Sequence, residues 1–455
     1  MGIRDVILTI ILVIAVPASL FRPFTGVLFW SWISYFNPHE FTFGFARHLP
    51  VGWLIALPTL IGLVLTNKRQ KPPVTKETIL LIALLTWFGI TTLDVAMSLS
   101  LVHHYPDSIA KLWMVAKMLL MVFVALALVT DAKRLRWWYL VTAASFALFA
   151  FKSSVFGVLT GGEFKIYGPA NSMIADNNDF GLAMNMVLPM FLCLARTEKN
   201  RYVRWAFWLS IPLGIVSVVL TYSRGALLGL VVVLLAMAWN SKHRGLALTG
   251  ILLAAMAVFM FAPGQWIQRM QTIRTAAKTD PSALSRLRSW TFAYRLWRDH
   301  PIFGGGFDTF TLPLYSKYGM ALADDELGQV RGPHSIYFQM LAEHGIVGLM
   351  LFLSMIMCCI WSCRKIKRRF RHDTQSWLAQ YANMIQLAFV PYLISGAFLG
   401  RAYFDLFYQL VATVILLQVF ARREMQKRQR ENFIALQPLR KEAVEMALHP
   451  MARQI

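Results

Sequence analysis

Six clusters of positive charge divide this chain, and each falls between long apolar runs. They are Lys68–Arg69–Lys71–Lys76, Lys133–Arg134–Arg136, Arg196–Lys199–Arg201–Arg204, Lys242–Arg244, the dense run from Arg364 to Arg371, and the run from Arg422 to Arg430. Short loops rich in Lys and Arg stay on the cytoplasmic side of a membrane. If all six lie there, an outward and a returning apolar span must separate each consecutive pair. The runs near 77–97 and 110–130, 136–158 and 179–196, 205–221 and 225–240 satisfy this. A run at 245–262 then leaves, one at about 335–362 returns, and runs near 384–400 and 403–421 complete the set. The first 67 residues hold three runs, near 5–21, 24–36 and 51–67, where an inside N-terminus needs an even number. The middle one is short and flanked by Pro23 and Pro38, so it reads as part of a broken or re-entrant segment.

The expected fold is all-α, a polytopic membrane protein with about 12 transmembrane helices and one large periplasmic loop that contains a helix. Thirteen helices with the N-terminus outside is the alternative. Composition agrees: 57% of the 455 residues are hydrophobic and 15% are charged. The apolar stretches are continuous rather than alternating, which excludes a β-barrel. The first run lacks a small-residue cleavage site and reads as a retained helix. Net charge is +22, but the surplus sits in short loops and the tail, so topology accounts for it without nucleic acid. Cys193, Cys358, Cys359 and Cys363 show neither metal-ligand spacing nor a disulfide framework.

The expected organisation is 1–262 as transmembrane helices, 263–334 as the large loop, 335–421 as C-terminal transmembrane helices and 422–455 as a basic cytoplasmic tail. That tail reads as an anchor on inner-membrane lipids or as a plain solvated segment. Three regions face outward: a loop at about 159–178, a tight turn at Ser223 and Arg224, and the long loop. Loops of about seventy residues are usually functional. Asp280 and Pro281 mark a helix start inside it, Ser282 is a candidate cap, and His300–Pro301 ends it. Arg286, Trp290, Ala293 and Trp297 share one face of that helix, whereas Arg288 is rotated away. The glycines at 304–306 turn the chain and are not a phosphate fingerprint.

Several polar residues stand out against this background. Arg224 in Thr-Tyr-Ser-Arg-Gly-Ala lies at an outer edge where arginine is disfavoured. It is either a snorkelling side chain or a guanidinium fork for phosphate oxygens. Arg286 is the expected inward cation of the loop helix, and for it and Arg288 a solvated charge is the alternative. His334, in Gly-Pro-His-Ser-Ile-Tyr, opens the return span, and an imidazole suits a general base at neutral pH. His344, beside Glu343, competes with it or is a buried structural histidine. Asp176–Asn177–Asn178–Asp179 reads first as a helix cap, with Asn178 otherwise a ligand for sugar or diphosphate oxygens. Lys117 is a cation inside a span, either a substrate-binding group or an ion-pair partner of Asp94. Asp324–Asp325–Glu326 reads as a solvated acidic turn, and no zinc signature or Walker motif occurs.

These motifs together resemble a known superfamily, the bacterial O-antigen ligases and the related O-antigen polymerases. The resemblance runs through Tyr-Gly-Pro-Ala-Asn, Asp-Asn-Asn-Asp-Phe-Gly, Tyr-Ser-Arg-Gly, Ser-Arg-Leu-Arg-Ser-Trp, His-Pro-Ile-Phe-Gly-Gly-Gly-Phe, Pro-His-Ser and Glu-His-Gly-Ile-Val-Gly, covering about 165–350. The N-terminal stretch with Phe-Asn-Pro-His-Glu is also similar to an exosortase-associated O-glycosylation ligase branch. The resemblance implies a bacterial inner-membrane enzyme without metal or cofactor. It would transfer glycan from undecaprenyl pyrophosphate to an acceptor hydroxyl, on a glycan, lipid or protein, at the periplasmic face. It implies Arg224 and Arg286 as holders of the diphosphate and His334 as the base. Ser335 stands where many members carry asparagine. The rival from another class is a transporter or flippase of the same lipid-linked sugar, which would be expected to show internal repeats.

Overall fold

A computed structural model describes residues 2–98, 101–261, 264–271, 281–320, 330, 332–371, 373 and 376–448. Sixteen α-helices and short 3-10 turns make up the described fold, and no strand occurs among the described residues. The helices are α1 (Ile3–Phe21), α2 (Pro23–Phe36), α3 (Val51–Leu65), α4 (Lys76–Met97), α5 (Tyr105–Leu128), α6 (Ala132–Leu159), α7 (Asn177–Thr197) and α8 (Arg201–Val219). They continue as α9 (Arg224–Trp239), α10 (Arg244–Phe261), α11 (Gly264–Gln271), α12 (Pro281–Asp299), α13 (Leu312–Lys317), α14 (Ile336–Arg369), α15 (Trp377–Ser395) and α16 (Asp405–Leu448). Eight described helices are long and apolar enough to cross a membrane, and three shorter apolar ones accompany them. Helices are what lipid requires, because each backbone N–H and C=O finds its partner within the segment.

Helix starts follow local chemistry. Side-chain oxygens of Thr75, Asp131, Asp176, Asn200, Ser223 and Ser335 cap α4, α6, α7, α8, α9 and α14. The short α2 begins with Pro23 at its first turn and ends at Asn37, whose φ is +50°. Its 14 residues span about 21 Å, less than a hydrocarbon core. The loop helix α12 starts at Pro281 and ends before His300, as Pro281 and His300–Pro301 predict, whereas Ser282 lies inside the helix and is not its cap. Helix α11 was not among the expected elements.

The basic ends of the helices meet. Gln70 donates to the carbonyls of Leu126 (2.9 Å) and Val129 (3.2 Å), and Arg423 donates to Thr130 O and Gln70 Oε1 (2.8 and 2.9 Å). Arg136 pairs with Glu198, and Arg428 with Asp373. The basic run after Phe420 simply prolongs α16 as helix to Leu448. At the centre sits α7, 83% buried over its membrane-length window against 28% for α1 and for α8. Its starting end, far from Arg196, therefore opens into the middle of the opposite face.

The long loop returns to the bundle through glycine. Helix α14 breaks at Gly345 (φ +63°, ψ −167°), a conformation that essentially only glycine adopts. The segment after α12 fills the break. Ile346 N–H donates to Pro301 O at 2.9 Å, Gly305 N–H to Ala342 O at 2.8 Å and Gly306 N–H to Glu343 O at 2.9 Å. Gly304 has φ +70° and a Cβ there would lie 2.6 Å from Ala342 O. The triplet therefore does turn the chain, as expected, and it also docks the loop on α14. Gly345→Ala should be strongly destabilising. The backbone conformation alone costs about 1–3 kcal/mol, and the new Cβ would lie 2.1 Å from Ile302 O. Thermal unfolding in detergent should show a drop of several degrees or loss of the monodisperse species. An unchanged transition would contradict this docking.

Candidate active site

The turn between α8 and α9 is held rigidly before Arg224 appears. Tyr222 takes φ +57° and donates its hydroxyl to Gly162 O at 2.5 Å. Burial raises this phenol's pKa above its ordinary value, with nearby Glu163 adding to the effect, so it stays a neutral donor. Ser223 is buried, and its Oγ accepts from Ala226 N–H (3.1 Å) while donating to Asn178 Oδ1 (2.6 Å). Asn177 Nδ2 donates to Thr221 O at 2.7 Å. The start of α7 and the turn are thus bolted together, and Arg224 is half-buried as the first residue of α9.

The segment joining α15 to α16 carries this turn toward His334. Ser395 Oγ donates to Gly225 O at 3.0 Å, and a Cβ on Gly225 would sit 3.6 Å from Phe398. Phe398 faces Trp290 of α12, with ring centroids 6.4 Å apart. Trp290 stacks on Phe338 at 5.3 Å and donates its Nε1–H to Pro333 O at 3.2 Å. Gly400 closes the circuit, because a Cβ there would approach Pro333 Cγ to 2.7 Å. His334 follows, half-buried with φ +45°, one residue before the Ser335 cap of α14. Arg286 lies one helical turn before Trp290 on α12, also half-buried.

The cluster is cationic. Arg401, in the same joining segment, is paired with Asp179 of α7. Asp176 Oδ1 is engaged by Asn178 N–H (2.8 Å) and Asn178 Nδ2 (2.7 Å). Three helices, α7, α9 and α14, begin at this cluster, and helix starts carry partial positive charge. Such a place suits a multiply charged anion with a histidine beside it. Among the described residues no group of three or more His, Cys, Asp or Glu is arranged to hold a metal ion.

The expected residues fall into two sets. The neighbours of Arg224, Arg286, His334 and Asn178 join into one circuit, while Lys117 and His344 stand elsewhere. The Asp176–Asp179 run caps α7 as expected, with Asp176 as the cap residue accepting from Asn178 N–H, and Asn178 Oδ1 accepts from Ser223 Oγ. Arg288 is not turned out to solvent, because α12 is buried on the side of Ser289, Phe292, Ala293 and Leu296. Its guanidinium lies 5.7 Å over the Tyr315 ring of α13, a packing partner the helix angle could not reveal. The Lys117–Asp94 ion pair is not formed. Lys117 is exposed, with its ammonium 5.6 Å from the Trp53 ring. His344 is fully buried, with Nδ1 2.8 Å from Thr91 Oγ1 and Nε2 2.7 Å from Tyr403 Oη. That is the structural alternative, and it corrects the expectation of substrate contact. Asp324–Asp325–Glu326 lie outside the described residues.

Arg401 and Asp179 escaped the sequence reading. The signal was available, since Arg401 interrupts two apolar runs on the outward side as Arg224 does. Arg401→Gln should leave Asp179 as a buried unpaired carboxylate. Removing one partner of such a pair costs about 3–5 kcal/mol, discounted here because Arg401 is about one-third exposed. A lowered thermal midpoint, restored by the double replacement with Asp179→Asn, would show the pair is structural.

Residues 205–353 match the family model described as O-antigen ligase. Residues 3–199 match a family of unknown function, DUF5935. No curated protein matches the chain. The first match begins in α8 and ends in α14, so it takes in the Arg224 turn, α12 and His334. The findings describe a chain with eight described helices long and apolar enough to cross a membrane, whose residues 205–353 are similar to the O-antigen ligase family.

Proposed function

We propose that this protein is a membrane glycosyltransferase. It would move an oligosaccharide or polysaccharide from a polyprenyl diphosphate, such as undecaprenyl pyrophosphate, to an acceptor hydroxyl. In this reading about twelve helices cross the bacterial inner membrane, and the cluster around Arg224 faces the periplasm, opposite the basic helix ends. His334 takes the proton of the acceptor hydroxyl as its oxygen attacks the anomeric carbon. The bond from that carbon to the diphosphate oxygen breaks, and the diphosphate leaves carrying the electron pair. Its charge grows in the transition state, so Arg224 and Arg286 stabilise that state more than the bound substrate. Arg288, two residues on and about half a turn round α12, is a further cation, and Asn178 acts through Ser223 by positioning the arginine turn. Diphosphate is a good leaving group, so the reaction proceeds without a metal.

The observation that supports this reading is the chain of contacts Gly225–Phe398–Trp290–Pro333, which links the residues next to Arg224 and His334 in distant parts of the chain. Incubating purified protein with a defined lipid-linked repeat unit tests it. Mass analysis should show released polyprenyl diphosphate, with a ladder of products for a polymerase or a single addition to a supplied acceptor for a ligase. Recovery of unchanged lipid-linked sugar on the other side of a vesicle would instead establish a transporter.

A further inference from the structure

A cavity of about 450 Å³ is lined mainly by residues that precede the O-antigen ligase match. Walls from α2, α3 and α5 enclose it, together with Tyr403 and Asp405. None of Asn178, Arg224, Arg286, Arg288 and His334 lines it. Lys117 does. It stands twelve residues past Tyr105 in the 24-residue α5, near mid-span, where a lysine stem is too short to reach either interface. A charge at that depth normally faces a partner or a polar cavity. Among the described residues Lys117 has no acidic partner within ion-pair distance, and its ammonium rests over Trp53.

Of the acids near the cavity, Asp405 is hydrogen-bonded and Glu40 is ion-paired. Asp405 accepts from Ser34 Oγ at 2.9 Å. Glu40, next to the lining His39, is paired with Arg47 at 3.2 Å and accepts from Asn171 Nδ2 at 3.2 Å. The remaining wall is graded: Asn171 and His39 are polar, while Leu60, Met118 and Met121 are apolar. Trp53 on α3 and Leu120 on α5, both lining the cavity, are exposed apolar side chains.

We propose that this cavity is a lipid-headgroup site, taking the phosphate of an anionic amphiphile at Lys117 and its aliphatic chain along Leu60, Met118 and Met121. Charge complementarity selects the anion, and the thioether and aliphatic wall selects the chain. The site lies close in sequence to the arginine cluster at two points. Tyr403 and Asp405 follow Arg401, and the lining residues Asn171–Met173 precede Asn177 and Asn178. A lipid-linked substrate held there would approach the transfer site from the bilayer. That last step rests on the glycosyltransferase reading, whereas the binding site does not.

The test uses full-length protein in phosphatidylcholine nanodiscs, without any sugar donor. Native mass spectrometry measures binding of phosphatidylglycerol, of polyprenyl phosphate and of inorganic phosphate. Wild type should bind the two lipids, and Lys117→Gln should weaken that binding at least about tenfold. Lys117→Arg should retain it. Gly52→Leu fills the mouth without touching the charge, since a Cβ at Gly52 meets only Trp30 at 3.7 Å, and it should also weaken binding. Displacement of phosphatidylglycerol by polyprenyl phosphate would identify the substrate lipid as occupant. Failure to displace it would identify a bilayer lipid, and either result supports the site. Equal binding in wild type and Lys117→Gln would overturn it, as would inorganic phosphate binding as tightly as the lipids. If Lys117→Gln does not fold, undiminished binding in Gly52→Leu overturns the proposal. A protein that transfers no sugar but passes these tests would refute the function above and leave this site intact.

Discussion

His334→Asn should reduce sugar transfer by about 10²–10⁴-fold while leaving the folded protein unchanged. Asparagine is the informative replacement because residue 334 has φ +45°, and asparagine tolerates the left-handed region better than alanine. The Pro333 carbonyl would still receive Trp290 Nε1–H, and Ser335 would still cap α14. Loss of turnover therefore reports on the imidazole and not on the turn. The measurement is initial rate against pH, with thermal unfolding as the control. A base that removes the acceptor proton predicts that the variant also loses the acidic limb of the wild-type profile. Undiminished product in the reconstituted assay would remove His334 from the mechanism.

Arg224→Ala should cost about 10²–10³-fold in kcat, the range for deleting one preorganised group that meets developing negative charge. The scaffold around it should survive. Ser223 caps α9 through its own hydroxyl, and Asn178 and Tyr222 hold the turn without the guanidinium. Arg224→Lys should recover only part of the loss, since an ammonium restores charge but not a two-pronged hold on phosphate oxygens. If both variants raise KM and leave kcat unchanged, the arginine binds substrate and leaving group equally. Its proposed share in bond breaking would then be wrong.

Much of the local architecture was legible because its causes are local. Asp176 announces a helix start through a side chain that reaches a backbone N–H two residues on. Pro281 and His300–Pro301 bound the loop helix for similar reasons. Arg224 stood out because charge is unusual at the edge of apolar spans, Arg286 because it shares a helix face with Trp290 and Trp297, and His334 because an imidazole opens the return span. Readings that needed a neighbour from another part of the chain fared worse. Arg288 looked solvent-facing on a helical wheel, yet Tyr315 of α13 covers it. Lys117 and Asp94 seemed natural partners across adjacent spans, but Lys117 turns to Trp53 on α3. His344 gave no sign that Thr91 and Tyr403 would occupy both its ring nitrogens.

From the chain alone came an all-helical membrane protein, its basic ends, the bounds of its loop helix and a short set of outward polar residues. Tertiary structure decided which of those residues meet. It placed the Arg224 turn against Phe398, hung Pro333 on Trp290, and docked the loop into the break at Gly345. The difference is physical. Hydropathy and capping act over one or two helical turns, whereas lateral packing in lipid discriminates weakly by polarity, because tails and helix faces are similarly apolar. Close fits at glycine and a few long-range hydrogen bonds select the arrangement, and their partners lie too far along the chain to be read in advance.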